Sequence, residues 1–173
     1  MSAAVYSVGS AVVYGRTGVC RVEDIGTPPF QKDDGRSYYT LRPVFSTCGE
    51  RIYTPVDGAA PIRGLVDGGR ASGCLKLVSE LKPQTFSSRK PAELAAHYRE
   101  LLAPCELESC LLLLKEIRQK ERTLTAQGKK LGQVDYQYQK IAERLACEEL
   151  GFALDTEPDI IRERLYEAMK ITK

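Results

Sequence analysis

Residue types that catalytic and metal sites usually require are scarce in this sequence. Tryptophan is absent, His97 is the single histidine, and the six cysteines include no C-x2-C pair. Zinc sites normally need closely spaced cysteine or histidine pairs, and nucleophilic catalysis needs a nucleophile beside a base. No G-x-S-x-G sequence and no phosphate-binding glycine loop is present. We therefore interpret His97 as a surface or core side chain and expect a non-enzyme without catalytic residues, metal or cofactor.

Long apolar runs and a secretory leader are also missing. No stretch approaches the roughly 20 apolar residues that span a bilayer, and the opening MSAAVYSVGS has neither a basic start nor an apolar core. We therefore expect a cytoplasmic protein that does not contact a membrane. In that reducing compartment the cysteines are expected to be ordinary thiols; they are Cys20, Cys48, Cys74, Cys105, Cys110 and Cys147.

The composition is that of a globular protein. With 173 residues, 43% of them hydrophobic, the chain suits one medium domain or two small ones. The formal net charge is only +2. A charge of this size creates no global field that would attract nucleic acid or a membrane, so any electrostatic argument has to be local.

Short β-strand patterns fill the first part of the chain. Apolar and polar residues alternate on both sides of a glycine-containing turn, which is the usual signature of a hairpin. Val13, Val19 and Val22 are candidates for one buried face. Further strands are expected at residues 37–44, 51–56 and 61–66. Five short strands with closely spaced turns are typical of an SH3-like or Tudor-like antiparallel β-barrel, which we expect over residues 1–72.

From Gly73 onward the apolar residues repeat with the 3.6-residue period of α-helices. Pro91 suits a first helical turn, and Gly151 suits a C-cap. One short and four longer helices are expected, at residues 74–81, 92–102, 106–125, 132–150 and from 156. The sequence therefore predicts an α+β fold, with a small barrel followed by an all-helical domain over residues 73–173.

Basic residues are concentrated in the middle of the predicted helical domain. Between Lys115 and Arg144 there are eight basic and four acidic residues, and Arg89, Lys90 and Arg99 extend the basic region. One interpretation is a helix face that meets phosphates. The other is a solvated face with internal i,i+4 ion pairs, such as Glu116 with Lys120. The sequence favours neither.

Three short motifs, in their order and spacing and followed by a helical bundle, resemble the CarD family of bacterial transcription regulators. The matching stretches are VVYG with GV (residues 12–15 and 18–19), YTL (39–41) and IYTPVD (52–57). The resemblance implies an N-terminal domain that binds RNA polymerase, similar to the corresponding module of transcription-repair coupling factors. In that family an edge of the barrel docks on the polymerase β subunit, which places the contact at Arg51, Ile52 and Tyr53.

The resemblance also implies a role for the helical domain. In the family this domain contacts promoter DNA at the upstream edge of the melted region, without reading sequence, and a tryptophan wedge helps to keep the DNA open. This sequence has no tryptophan. The candidate DNA-binding residues are Phe86, Arg89, Lys90, His97, Tyr98, Arg99, Lys115, Arg118 and Arg122. We expect a monomer that modulates the stability of the promoter open complex.

Two other functions remain open from the sequence. The first is a protein-only adaptor, in which the helical domain binds a protein and the missing tryptophan reflects loss of the DNA contact. The second is a thiol-based redox sensor, which requires a cysteine with a depressed pKa.

Overall fold

A computed structural model describes residues 4–32 and 34–170. These residues form two compact units, one ending at Leu65 and the other beginning at Val66. We call them the sheet unit and the helical unit. The division lies a few residues before the predicted boundary at 72/73, because the first helix of the helical unit starts at Gly68 rather than at Cys74.

The sheet unit is built on a five-stranded antiparallel sheet. Its strands are β1 (Ala11–Tyr14), β2 (Gly18–Gly26), β3 (Tyr38–Pro43), β4 (Ile52–Pro55) and β5 (Ile62–Gly64). Their order across the sheet is β4-β3-β2-β1-β5. Gly15 and Gly18 bound the turn between β1 and β2 and have φ angles of 46° and 89°, which explains the two glycines there. The hairpin prediction is confirmed.

The α+β class is confirmed, but the sheet is not closed into a barrel. Among the described residues β4 and β5 occupy opposite edges, and neither pairs with the other. Closure depends on strand tilt and stagger. These quantities are not encoded in the spacing of strands and turns, so the sequence pattern is the same for an open sheet and for a barrel.

Both faces of the central hairpin are partly buried. Val22 belongs to the core cluster of this unit, with Val12, Cys20, Tyr39 and Leu41. Val13 and Val19 are paired across the hairpin and are also buried. They lie on the other face, because Val13 follows Val12 directly and side chains alternate along a strand. The prediction that Val13, Val19 and Val22 share one face was therefore wrong.

The helical unit contains five helices around one core. They are α1 (Gly68–Leu77), α2 (Pro91–Leu102), α3 (Leu107–Ala126), α4 (Gln133–Ala153) and α5 (Pro158–Lys170). Pro91 is at the first position of α2, as predicted. The Asp67 side chain accepts a hydrogen bond from the Arg70 N–H at 2.7 Å and caps α1. None of the described helices is long and apolar enough to cross a membrane.

Gly151 has a different role from the one predicted. Helix α4 continues past it to Ala153, so Gly151 is not a C-cap. A Cβ at this position would lie 2.6 Å from the Thr156 carbonyl oxygen, and the Thr156 N–H donates to the Gly151 carbonyl at 2.8 Å. Glycine is required here because the segment leading into α5 crosses directly over the end of α4.

Candidate functional site

Strand β4 forms one edge of the sheet, and the three predicted polymerase-binding residues lie on it or directly before it. Tyr53 is opposite Thr40 of β3, and Ile52 is opposite the buried Leu41. Ile52 therefore packs against the core cluster, whereas Tyr53 lies on the outer face. Arg51 directly precedes β4 and is exposed. Only the side chains of Arg51 and Tyr53 are thus available together on this face.

A β-bulge brings a carboxylate to Arg51. The register between β2 and β3 shifts between Val22 and Asp24, which makes Glu23 the extra residue. Glu23 Oε2 accepts a hydrogen bond from Arg51 Nε at 2.9 Å, and Oε1 lies 3.4 Å from Arg42 Nη1. The hydrogen bond from Arg51 is the main reason why the pKa of Glu23 lies below its ordinary value. Strand alternation did not predict this pairing, because a bulge changes the face on which a residue lies.

The same outer face contains a groove with an aromatic rim. Its volume is about 630 Å³, and its lining includes Arg21, Glu23, Thr40, Arg51 and Tyr53. The Phe30 ring meets the Tyr53 ring edge-on, with centroids 4.8 Å apart, and Phe30 is 69% exposed. An exposed ring packed on a half-buried one, beside charged groups, is suited to binding another protein. Phe30 follows Pro28 and Pro29 and lies outside the predicted strands, so strand patterns did not single it out.

Tyr98 of the predicted DNA-binding set is fully buried in the helical unit. Its hydroxyl donates a hydrogen bond to Asp135 Oδ1 at 2.6 Å. The same oxygen accepts a hydrogen bond from Lys120 Nζ at 2.8 Å. Burial is the main cause that raises the pKa of Tyr98. Tyr98 links helices internally and has no surface to offer to DNA in this fold.

Lys115 is also buried. Its Nζ donates to the carbonyl oxygens of Val78 and Ser79, at 2.9 and 2.6 Å. These carbonyls follow the end of α1, where a cation is favourable because the last carbonyls of a helix lack partners. Burial lowers the pKa of Lys115. Its position on α3 serves to hold the end of α1, so we leave Lys115 out of the proposed DNA-binding surface.

Phe86 and His97 form a stacked pair with ring centroids 4.3 Å apart. His97 Nε2 is hydrogen-bonded to Glu116 Oε1 at 2.9 Å, and the Phe86 N–H donates to the same oxygen at 3.4 Å. Both rings are half-buried. Glu116 is therefore paired with His97, and Lys120 with Asp135. The i,i+4 pair of Glu116 with Lys120, one of the two interpretations of the basic region, is not formed.

The remaining predicted DNA-binding residues are basic and reach the surface. Arg118 is half-buried: its Nη1 lies 2.5 Å from Glu121 Oε2, and its guanidinium lies 4.5 Å from the centroid of the Tyr166 ring. Arg118 and Arg122 line one small pocket between α3 and α5. The others belong to α2 or to the segment before it; Arg89, Lys90 and Arg99 are exposed, as is Arg122.

Two buried cysteines, Cys147 and Cys74, have shifted pKa values, and the direction of both shifts argues against a redox-sensing role for them. Burial raises the pKa of Cys147 to about 12 and is also the main cause that raises the pKa of Cys74. A redox-sensing thiol needs the opposite shift. Within the described ranges, no group of three or more His, Cys, Asp or Glu residues is arranged to hold a metal ion.

The sheet unit is thus an open antiparallel sheet with strand β4 at one edge and a groove beside it that Tyr53 lines. Residues 6–66 match the family model for the CarD-like/TRCF RID domain, the RNA polymerase-interacting domain. The sheet unit thus belongs to this domain family, which is non-enzymatic, and the resemblance found in the sequence is confirmed there. This match supports a transcription-related protein with an RNA polymerase-interacting domain. No curated protein matches the chain.

Proposed function

We propose that the sheet unit binds the β subunit of RNA polymerase through the outer face and edge of β4. In the same proposal, the helical unit contacts promoter DNA at the upstream edge of the melted region and changes the stability of the open complex. The observation that carries the proposal is the family match over residues 6–66, combined with the place of β4 at the edge of the sheet that the described residues form.

The edge of β4 supplies the backbone part of the polymerase contact, which does not depend on side chains. The strand pairs with β3, and on its other side the backbone N–H and C=O of Tyr53 can pair with a strand from a partner. Pro55 adds no donor there, because proline has no N–H, and its carbonyl accepts a hydrogen bond from the Gly58 N–H at 3.1 Å. Tyr53 and Phe30 supply apolar contact area, and aromatic residues are enriched among the residues that dominate binding energy. The Arg51 guanidinium can leave its ion pair with Glu23 and form one with a carboxylate of the partner. This exchange costs little, because an exposed ion pair contributes only about 1 kcal/mol or less to stability.

The DNA contact is supported by the exposed cations of the helical unit. Arg89, Lys90, Arg99 and Arg122 are on the surface, and each phosphate they neutralise adds affinity that does not depend on sequence. Such a contact is weak by itself. Tethering to the polymerase raises its effective concentration at the promoter, so a few cations are sufficient.

Calorimetric titration of the full chain into an isolated β-subunit lobe tests the polymerase contact. Tyr53→Ala is expected to weaken binding by about tenfold or more, as for a central aromatic contact. Arg51→Gln also disrupts the pair with Glu23, so Glu23→Gln is measured beside it to separate the loss of the pair from the loss of the cation. Ile160→Ala, an exposed apolar residue on α5, is the matched control and is expected to bind like the native chain.

Two results would contradict the polymerase contact. One is an intact chain that does not bind the lobe. The other is a Tyr53→Ala variant that binds the lobe as tightly as the native chain does.

A protein-only adaptor is the second candidate function. It is favoured by the internal roles of Tyr98 and Lys115 and by the packing of Phe86 on His97, which leave this segment without a protruding aromatic wedge. Binding of the full chain to fork DNA at several salt concentrations separates the two functions. The DNA-binding function predicts affinity that falls steeply with salt, whereas the adaptor predicts no measurable binding.

A further inference from the structure

One side of helix α4 is exposed along most of its length. The exposed positions recur every three or four residues, with Tyr136 and Gln137 adjacent, so they lie on one side of the helix; they are Gln133, Tyr136, Gln137, Lys140 and Arg144. Lys129 and Lys130 are exposed in the turn that leads into the helix. We call these seven residues the α4 face.

The α4 face carries positive charge without exposed negative charge. Within residues 127–144 the four basic residues are all exposed, whereas the two carboxylates, Asp135 and Glu143, are 3% and 6% exposed. Asp135 is paired with Lys120 inside the unit. Glu143 lies 3.5 Å from both Arg162 and Lys140. Because its carboxylates are buried, this segment presents cations to solvent.

Tyr136 is the aromatic side chain exposed on this surface. It is 55% exposed, and the other aromatic residues in the described part of the helical unit are buried or half-buried. Lys140 Nζ lies 5.5 Å from the centroid of its ring. An exposed ring with one cation beside it, and with further exposed lysines in the adjoining turn, resembles the sites that bind unpaired nucleic acid, where a base stacks on the ring and cations meet the flanking phosphates.

We propose that the α4 face binds an unpaired DNA strand, with a base stacked on Tyr136 and the backbone phosphates held by Lys129, Lys130 and Lys140. This inference rests on the proposed DNA contact and names the residues that recognise the melted strand. Arg144 lies at the margin of the site, because it is paired with Glu148.

The chemistry of the α4 face favours a DNA strand over a protein. Protein interfaces are depleted in lysine and rich in apolar area at their centre, and Tyr136 is the one large apolar side chain exposed on this face. A duplex fits less well, because its bases are stacked and expose no ring face. The stacking requirement therefore predicts a preference for single strands and for the unpaired arms of a fork.

Fluorescence anisotropy with labelled single-stranded, fork and duplex DNA tests the site in the full chain. Tyr136→Ala is expected to weaken single-strand and fork binding by about tenfold, and duplex binding by less than about twofold. Tyr136→Phe keeps the ring and is expected to retain the affinity. Ile160→Ala is the control for loss of an exposed apolar side chain.

The lysines are tested through the salt dependence of binding. Replacing Lys129, Lys130 and Lys140 by glutamine is expected to lower the slope of log affinity against log salt for single strands by about 2, since each phosphate contact contributes about 0.7. Arg164→Gln, an exposed arginine on α5, is the control for removal of charge and is expected to leave the slope nearly unchanged.

The possible failures are distinguishable. If the native chain binds none of the DNA probes, both this inference and the proposed DNA contact are overturned. If the native chain binds DNA and Tyr136→Ala binds single strands equally well, this inference alone is overturned. An oligoglutamate peptide that binds as tightly as the single strand, and is weakened equally by Tyr136→Ala, would also overturn it and indicate an acidic protein partner.

Discussion

The sheet unit keeps its charged side chains on its surface, whereas the helical unit places many of its own in the interior. Among the described residues of the sheet unit, Thr54 is the one polar side chain, tyrosines aside, that is buried. The described part of the helical unit buries six polar or charged side chains: Lys115, Glu116, Asp135, Gln139, Glu143 and Glu149. The two units therefore use charge for different purposes.

The difference shows that a concentration of basic residues does not by itself identify a nucleic-acid surface. Lys115 and Lys120 belong to the basic segment, yet both donate to acceptors inside the helical unit. Glu149 likewise accepts a hydrogen bond from the Val66 N–H at 3.2 Å. Internal pairs of this kind join helices to one another and to neighbouring segments. The charges left for a ligand are those with an exposed side chain.

The largest effect is expected at the buried pair of Lys120 with Asp135, which tests whether the helical unit depends on charges in its interior. Asp135→Ala leaves the Lys120 ammonium and the Tyr98 hydroxyl without the carboxylate that they share. Because an uncompensated buried charge is strongly unfavourable, we expect the free energy of unfolding of the helical unit to fall by about 3–5 kcal/mol. Urea unfolding followed by far-UV circular dichroism, which reports mainly on helices, measures the change.

An exposed pair provides the matched control for that experiment. Glu167 is paired with Lys170 on α5, and both side chains are more than half exposed. Glu167→Ala is expected to cost less than about 0.5 kcal/mol. If the two substitutions cost the same, the helical unit would not depend on its buried charges and the contrast between the units would be lost.

A substitution of Lys115 is expected to change stability without changing DNA binding. Lys115→Met removes the donor to the Val78 and Ser79 carbonyls while keeping much of the side-chain volume. We expect a loss of about 2 kcal/mol in unfolding free energy, since carbonyls left without a partner are costly. DNA affinity and its salt dependence are expected to stay unchanged, because the ammonium is buried.

Arg122→Gln is the companion substitution. Arg122 is exposed on the same helix, so we expect weaker DNA binding with little change in stability. A Lys115→Met variant that unfolds like the native chain but binds DNA poorly would instead restore Lys115 to the DNA-binding surface.

The sheet unit was the more predictable of the two from sequence. Alternation along β3 and β4 correctly separates Leu41 on the core side from Tyr53 on the outer side, because side chains in a strand alternate strictly. The open edge and the role of Glu23 were not predictable. Both depend on strand order and on a bulge, which arise from pairing between distant segments.

In the helical unit the helices were predictable and their partners were not. Pro91 fixes the start of α2, and the apolar period outlines α3 and α4. From sequence, however, a polar residue that is buried on the inner side of a helix cannot be distinguished from an exposed one until its partner is known. Tyr98, Lys115 and Glu116 find partners 37, 37 and 19 residues away, respectively, and no local pattern encodes those distances.

The smallest expected effect concerns two carboxyl groups whose pKa values move in opposite directions. In the sheet unit the pKa of Glu23 is lowered, chiefly by the hydrogen bond from Arg51. In the helical unit burial raises the pKa of Glu148, although Arg144 opposes the shift. A lowered carboxyl pKa stabilises the fold above the unfolded value, and this contribution is lost as pH falls through the folded pKa. A raised pKa has the reverse sign, so the folded state gains stability as pH falls through that pKa.

NMR titration of the carboxyl groups, together with unfolding measured at several pH values, tests these signs. Glu23 is expected to titrate below the ordinary glutamate pKa of about 4.3 and Glu148 above it. Arg51→Gln is expected to return Glu23 toward the ordinary value. Near neutral pH, Glu23→Gln is expected to lower stability by at most about 1 kcal/mol, because its partners are exposed, whereas Glu148→Gln is expected to raise it slightly. If the two groups titrate in the reverse order, burial rather than ion pairing controls the pKa of Glu23. The electrostatic distinction between the two units would then not extend to their surface carboxyl groups.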